Sequence, residues 1–116
     1  MNNNPDYTSI ISADHFTRLN RMIEEAREDG AEIISINPDG ETLESSARKI
    51  PPTLILRPNP TLGVMQEEIF GPILPVLSYE KIEEVIEFVQ HRARPLALYL
   101  FTEKVSEREG ILRETV

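Results

Sequence analysis

Met65-Gln66-Glu67-Glu68-Ile69-Phe70-Gly71-Pro72 is the stretch around which the rest of the chain is arranged. Two carboxylates stand beside an aliphatic and an aromatic residue, and the Gly-Pro pair then stops any helix and turns the chain toward a strand. A carboxylate such as Glu68 can accept hydrogen bonds from a pair of sugar hydroxyls, and a ring two residues on can cover the face of an aromatic ligand. Neither property is specific. Chemistry alone favours the plainer arrangement, with Ile69 and Phe70 buried and Glu67 and Glu68 solvated, because apolar residues pack and carboxylates face water.

The flanking sequence predicts what carries this stretch. Upstream, Thr53-Leu54-Ile55-Leu56-Arg57 reads as a strand, its preceding Pro51-Pro52 confined to where no ladder donor is needed. Residues 59–71 have no regular period, so the stretch falls on a loop leading to the next strand, where ligand contacts commonly lie. That strand, Ile73 to Tyr79, contains Pro75, which argues for an edge or a bulge.

Farther upstream, Ser12 is a plausible N-cap, and Phe16, Leu19, Ile23 and Ala26 recur at helical steps up to Gly30, with Met22 widening the stripe. The opposite face, which carries Arg18, Arg21, Glu24, Glu25, Glu28 and Asp29, is expected to be solvated. Ala31 to Ile36 is a short isoleucine-rich strand, and Asn37-Pro38-Asp39-Gly40 has turn residues. Residues 40–50 are polar and predict a mobile surface loop, and residues 1–11 an N-terminal tail.

Downstream, Ile82, Val85, Ile86 and Val89 give the strongest helical stripe, from about Glu80 to His91. Leu96 to Phe101 is continuously hydrophobic and reads as a fourth strand buried on both faces, as in a parallel sheet. Ser106 followed by Glu109 resembles a capping box for a last helix with Leu112 and Val116 on one stripe. The alternation predicts an α/β fold, with a partly parallel sheet flanked by helices.

Composition removes several functions. A net charge of −8, from 20 acids and 12 bases, argues against a nucleic-acid partner. No apolar run approaches a membrane span and the first residues lack signal-peptide character, so the expected compartment is cytoplasmic. The absence of cysteine excludes disulfides, thiolate metal sites and cysteine nucleophiles from these residues. His15 and His91 pair with no second good ligand at any spacing and read as surface histidines, so no metal is expected. Glu83 and Glu87 sit opposite the apolar stripe, and Ser9, Asp14 and His15 lack indicated oxyanion donors. There is no glycine-rich phosphate cradle either.

Glu67-Glu68-Ile69-Phe70-Gly71-Pro72 resembles the Glu-Glu-Ile-Phe-Gly-Pro signature of the NAD(P)-dependent aldehyde dehydrogenase superfamily. The similarity extends through Asn4-Pro5-Asp6-Tyr7-Thr8-Ser9-Ile10-Ile11, Lys49-Ile50-Pro51-Pro52-Thr53 and Arg94-Pro95-Leu96-Ala97-Leu98-Tyr99, flanks most like the coniferyl aldehyde dehydrogenase branch. The resemblance implies that residues 1–116 are a single partial catalytic domain. It also implies that Glu68 holds a cofactor ribose, that Phe70 lies against the nicotinamide of NAD or NADP, and that Leu96 lies near the carboxamide.

In the intact family an aldehyde becomes an acid through a cysteine-bound thioester. This chain lacks that thiolate and the cofactor domain, so by this resemblance it is inactive alone, it has no catalytic residue, and no cofactor binds it tightly. Its implied partners are the rest of the aldehyde dehydrogenase polypeptide and, when intact, further copies in a homo-oligomer, with no membrane. The alternative is a stand-alone non-catalytic α/β module used for binding or structure.

Overall fold

The computed structural model describes Met1 and residues 4–115. The chain divides into two compact units, Met1–Leu77 and Ser78–Val116.

The first unit begins its regular structure at helix α1, Ala13–Glu28. Ser12 caps it as the sequence indicates: its backbone is extended and its side chain accepts the His15 N–H at 3.1 Å. Gly30 takes φ +90° just beyond the helix, where a left-handed residue lets the chain turn away. Leu19, Met22, Ile23 and Ala26 are buried, so the apolar stripe is the packed face. Strand β1, Glu32–Ser35, pairs antiparallel with β2, Thr53–Leu56, and β2 pairs parallel with β3, Ile73–Val76. The sheet is therefore mixed, in the order β1-β2-β3.

Pro75 lies in β3 opposite Ile55, and β3 is an edge strand, where the missing donor costs no outer ladder bond. Register decides which side chains share a face. Ile33, Ile55 and Pro75 form one row on the side of the core, where Ile55 is fully buried. Ile34, Leu54 and Leu74 form the next row on the other side, and Ile34 and Leu74 are exposed there together with Val76. The core joins α1 to Ile10, Ile50, Ile55, Val64 and Ile73.

Between β1 and β2, a 3-10 turn at Ser45–Ala47 interrupts the polar run, and Gly40 N–H donates to Asn37 O at 3.1 Å. Within the expected tail, Ile10 is buried and its N–H donates to Arg48 O at 2.7 Å, and the Tyr7 hydroxyl donates to Ile50 O. Between β2 and β3 the chain forms a single turn of helix, α2, Gly63–Gln66, placing buried Val64 against the core. Glu67 to Pro72 follows as irregular backbone.

The second unit contains helices α3, Ile82–Gln90, and α4, Val105–Thr115, which pack on each other. Gln90 donates to Glu114 O at 2.8 Å, and the Arg92 guanidinium stacks 4.1 Å from the Phe88 ring centroid. Three expectations fail here. Leu96 to Phe101 forms no strand: a strand exists only through a ladder partner, and among the described residues this unit has none. Leu96 is fully exposed and Phe101 nearly so. The Ser106–Glu109 capping box is absent because α4 starts at Val105, two residues before a helix capped by Ser106 would. Instead Thr102 accepts the Lys104 N–H at 3.1 Å and donates to Glu107 at 2.7 Å. Finally, Ile111 rather than Leu112 is the buried residue of α4, and Val116 lies outside the described residues.

Candidate functional site

The 67–72 loop is held from below by the N-terminal half of α1. Arg18 is the centre of that arrangement. Its Nη1 donates to Glu67 Oε2 at 3.0 Å, and its Nη2 donates to Glu68 O at 3.0 Å and to Ile69 O at 2.8 Å. One turn earlier, His15 Nε2 lies 2.8 Å from Phe70 O. A carbonyl only accepts, so Nε2 carries the proton. The bare Nδ1 then accepts from Arg18 Nε at 3.4 Å and Nη2 at 3.3 Å. Three consecutive carbonyls, 68 to 70, thus converge on two side chains, whereas in extended backbone successive carbonyls point to opposite sides.

Convergence requires a turn, and the turn is at Phe70, which adopts φ +51°. For a bulky residue this left-handed conformation costs on the order of 1–3 kcal/mol, so the surrounding contacts must hold it. Two do so on its C-terminal side. Gly71 lies against fully buried Leu19 so closely that a Cβ there would sit 2.5 Å from Leu19 Cδ1. Pro72 O accepts the Thr53 N–H at 2.8 Å, which ties the loop end to β2.

The backbone is fixed while two side chains are free. The Phe70 ring is 74% exposed, which corrects the plainer expectation that it is buried: the positive φ turns it outward. Ile69 is the residue that packs inward. Glu68 is exposed, and its carboxylate accepts no hydrogen bond among the described residues. Beside them, Tyr7, Ile10, His15, Arg18, Ile50 and Phe70 line a cavity of about 800 Å³. Burial pushes the Tyr7 phenol above its ordinary pKa. An exposed carboxylate and an exposed ring on one fixed loop can meet vicinal hydroxyls and a planar ring of one ligand.

Glu68 and Phe70 are brought together by being two residues apart on this loop. Leu96 belongs to the second unit, where it borders a separate cavity of about 440 Å³ with Val89, Leu100, Ile111 and Leu112. Among the described residues no group of three or more His, Asp or Glu side chains could hold a metal ion.

Arg18 and His15 were not legible as site residues, and the expectation that Arg18 belongs to a solvated face is wrong: only 26% of its side chain is exposed. His15 is half-buried rather than a plain surface histidine. A signal existed. His15, Arg18 and Met22 follow helical spacing beside Leu19, so they border the apolar stripe, and a cation on that border can reach whatever packs on the stripe.

Helix, mixed sheet and intervening loop together define an α/β segment found in enzymes of known structure. A substrate-bound state of AldH from Staphylococcus aureus superposes with a TM-score of 0.78 at 34% identity, covering 93% of this chain and 22% of that one. A Mycobacterium tuberculosis aldehyde dehydrogenase complexed with NAD+ gives 0.75 at 28% identity, covering 91% and 22%.

The sequence model of the aldehyde dehydrogenase family matches residues 1–115, and the chain belongs to that family. A probable coniferyl aldehyde dehydrogenase of Caulobacter vibrioides is 47% identical over 113 residues, 97% of this chain and 23% of the relative. The chain therefore spans about a quarter of the length of the relatives it matches.

Proposed function

We propose that this chain is the part of an aldehyde dehydrogenase catalytic domain that meets the nicotinamide half of NAD or NADP, and that the intact protein oxidises an aldehyde to the acid. The observation that carries this is the pairing of the unpartnered Glu68 carboxylate with the exposed Phe70 ring, projected from a fixed loop of a chain belonging to this family. Both groups fit a nicotinamide riboside: Glu68 accepts from the ribose hydroxyls and Phe70 covers one ring face. The bound dinucleotide supplies the hydride acceptor. Leu96 is assigned to the carboxamide end on family resemblance.

The chain has no cysteine, so the thiolate that attacks the aldehyde belongs to other parts of the polypeptide. Similarity to coniferyl aldehyde dehydrogenases supports an aromatic aldehyde as substrate, and the compartment in this reading is the cytoplasm. No helix among the described residues is long and apolar enough to cross a membrane. In the intact protein, homo-oligomeric association is part of this reading.

The test is made in the intact polypeptide with coniferyl aldehyde and each cofactor. Glu68→Gln should raise the cofactor KM or lower kcat by about tenfold or more, the equivalent of one hydrogen bond to a charged group. Unchanged kinetics for both Glu68→Gln and Phe70→Leu would overturn the assignment. The 116-residue chain alone should produce no reduced nicotinamide above the buffer rate.

A further inference from the structure

We infer that His15 and Arg18 are positioning residues that hold Phe70 in its left-handed turn and so aim the Glu68 carboxylate and the Phe70 ring at the nicotinamide half of the cofactor. This rests on the reading of Glu68 and Phe70 given above. Neither α1 residue needs to touch a ligand, because both spend their donors on the loop backbone: Arg18 on Glu68 O and Ile69 O, His15 on Phe70 O. Phe70 at φ +51° is unfavourable for a free loop, and its own ring contributes little to holding it because the ring is 74% exposed.

The hydrogen-bond pattern specifies the residue types. Arg18 can reach Glu67 and two carbonyls at once only through a planar fork of donors. His15 must donate through one nitrogen and accept Arg18 through the other, which the neutral Nε2–H imidazole does. A glutamine at 15 offers the same two functions, the carboxamide nitrogen donating and its oxygen accepting. Leucine offers neither.

The test uses the 116-residue chain and nicotinamide mononucleotide, the half of the cofactor that these residues would meet. Two readouts are taken by NMR: the short intraresidue HN–Hα distance that a positive φ imposes at Phe70, and the ligand-induced shifts of Glu68 and Phe70. His15→Leu and Arg18→Met are expected to lose the short distance and to weaken nicotinamide mononucleotide binding about tenfold, the loss of one hydrogen bond to a charged group. The amide pattern of β1 to β3 should stay in place. His15→Gln should restore both readouts.

A Phe70 that keeps its short distance in both loss variants overturns the inference, as does a His15→Gln that behaves like His15→Leu. If Arg18→Met does not fold, the two His15 variants decide. If nicotinamide mononucleotide moves neither resonance in the unaltered chain, the Glu68→Gln and Phe70→Leu kinetics of the intact polypeptide decide the cofactor reading, while the Phe70 distance decides whether His15 and Arg18 hold the turn.

Discussion

Gly71 and Leu19 touch so closely that no side chain fits between them: a Cβ at position 71 would stand 2.5 Å from Leu19 Cδ1 and 3.2 Å from Cδ2. Leu19 is fully buried, so shifting its methyl groups disturbs the close-packed core around it. The end of the signature loop is thereby pressed onto the packed face of α1. Gly71→Ala is expected to destabilise the chain by about 1–3 kcal/mol through overpacking. Pairing it with Leu19→Val should recover part of that loss, giving a coupling of roughly 0.5 kcal/mol or more in a double-mutant cycle. Urea unfolding of the two single variants and the double variant measures it, and strict additivity would show that the contact is relaxed in solution.

Tyr7 gives a pH dependence. Its hydroxyl donates to Ile50 O, and burial raises its pKa above the ordinary value of about 10. The neutral phenol is thus favoured by folding. Its contribution is fully present below about pH 10 and is lost as the pH rises through the folded-state value. Absorbance titration should show one of the three tyrosines ionising later than the others, and Tyr7→Phe should remove that late component. The same substitution should flatten the alkaline fall in stability.

Ile34, Leu74 and Val76 lie exposed on the side of the sheet away from α1, and Leu74 is on an edge strand. An apolar sheet face next to an open edge favours association between copies. Sedimentation velocity of the isolated chain should show a mass that rises with concentration. Leu74→Lys should shift it toward monomer at little cost in stability, because Leu74 is 59% exposed. Monomeric behaviour of the unaltered chain at all concentrations would sink this expectation.

Whole NAD should bind the isolated chain only weakly. A hydrogen bond from the ribose to the Glu68 carboxylate contributes about 1.5–3 kcal/mol, and ring contact with Phe70 about 1 kcal/mol more. Their sum barely reaches the ~4 kcal/mol of a millimolar complex. Association itself costs at least about 4 kcal/mol in lost translational and rotational freedom. The chain has no glycine-rich turn for the pyrophosphate. Saturation at micromolar NAD, followed at Phe70, would mean that the loop is a self-sufficient site.

The sequence by itself determined the elements whose signals are local. Ser12, the 3.6-residue stripe from Phe16 to Ala26 and Gly30 specify α1 because capping, burial and the left-handed exit are decided within the helix. Pro75 limited its strand to an edge or a bulge, since one missing donor is a property of one residue, and the sheet order made it the edge. The six-residue signature marked the loop and its family.

Tertiary structure alone decided what depends on partners distant in the chain. Arg18 and Glu68 are fifty residues apart, and nothing in either neighbourhood says that a surface-looking arginine will hold that backbone. The outward Phe70 ring follows from a positive φ sustained by His15 and Arg18, by the Gly71–Leu19 contact and by the Thr53–Pro72 hydrogen bond. Leu96 to Phe101 shows the converse: its apolar run has strand composition, but a strand is a relation between two chains of backbone, and hydrophobicity cannot supply the second.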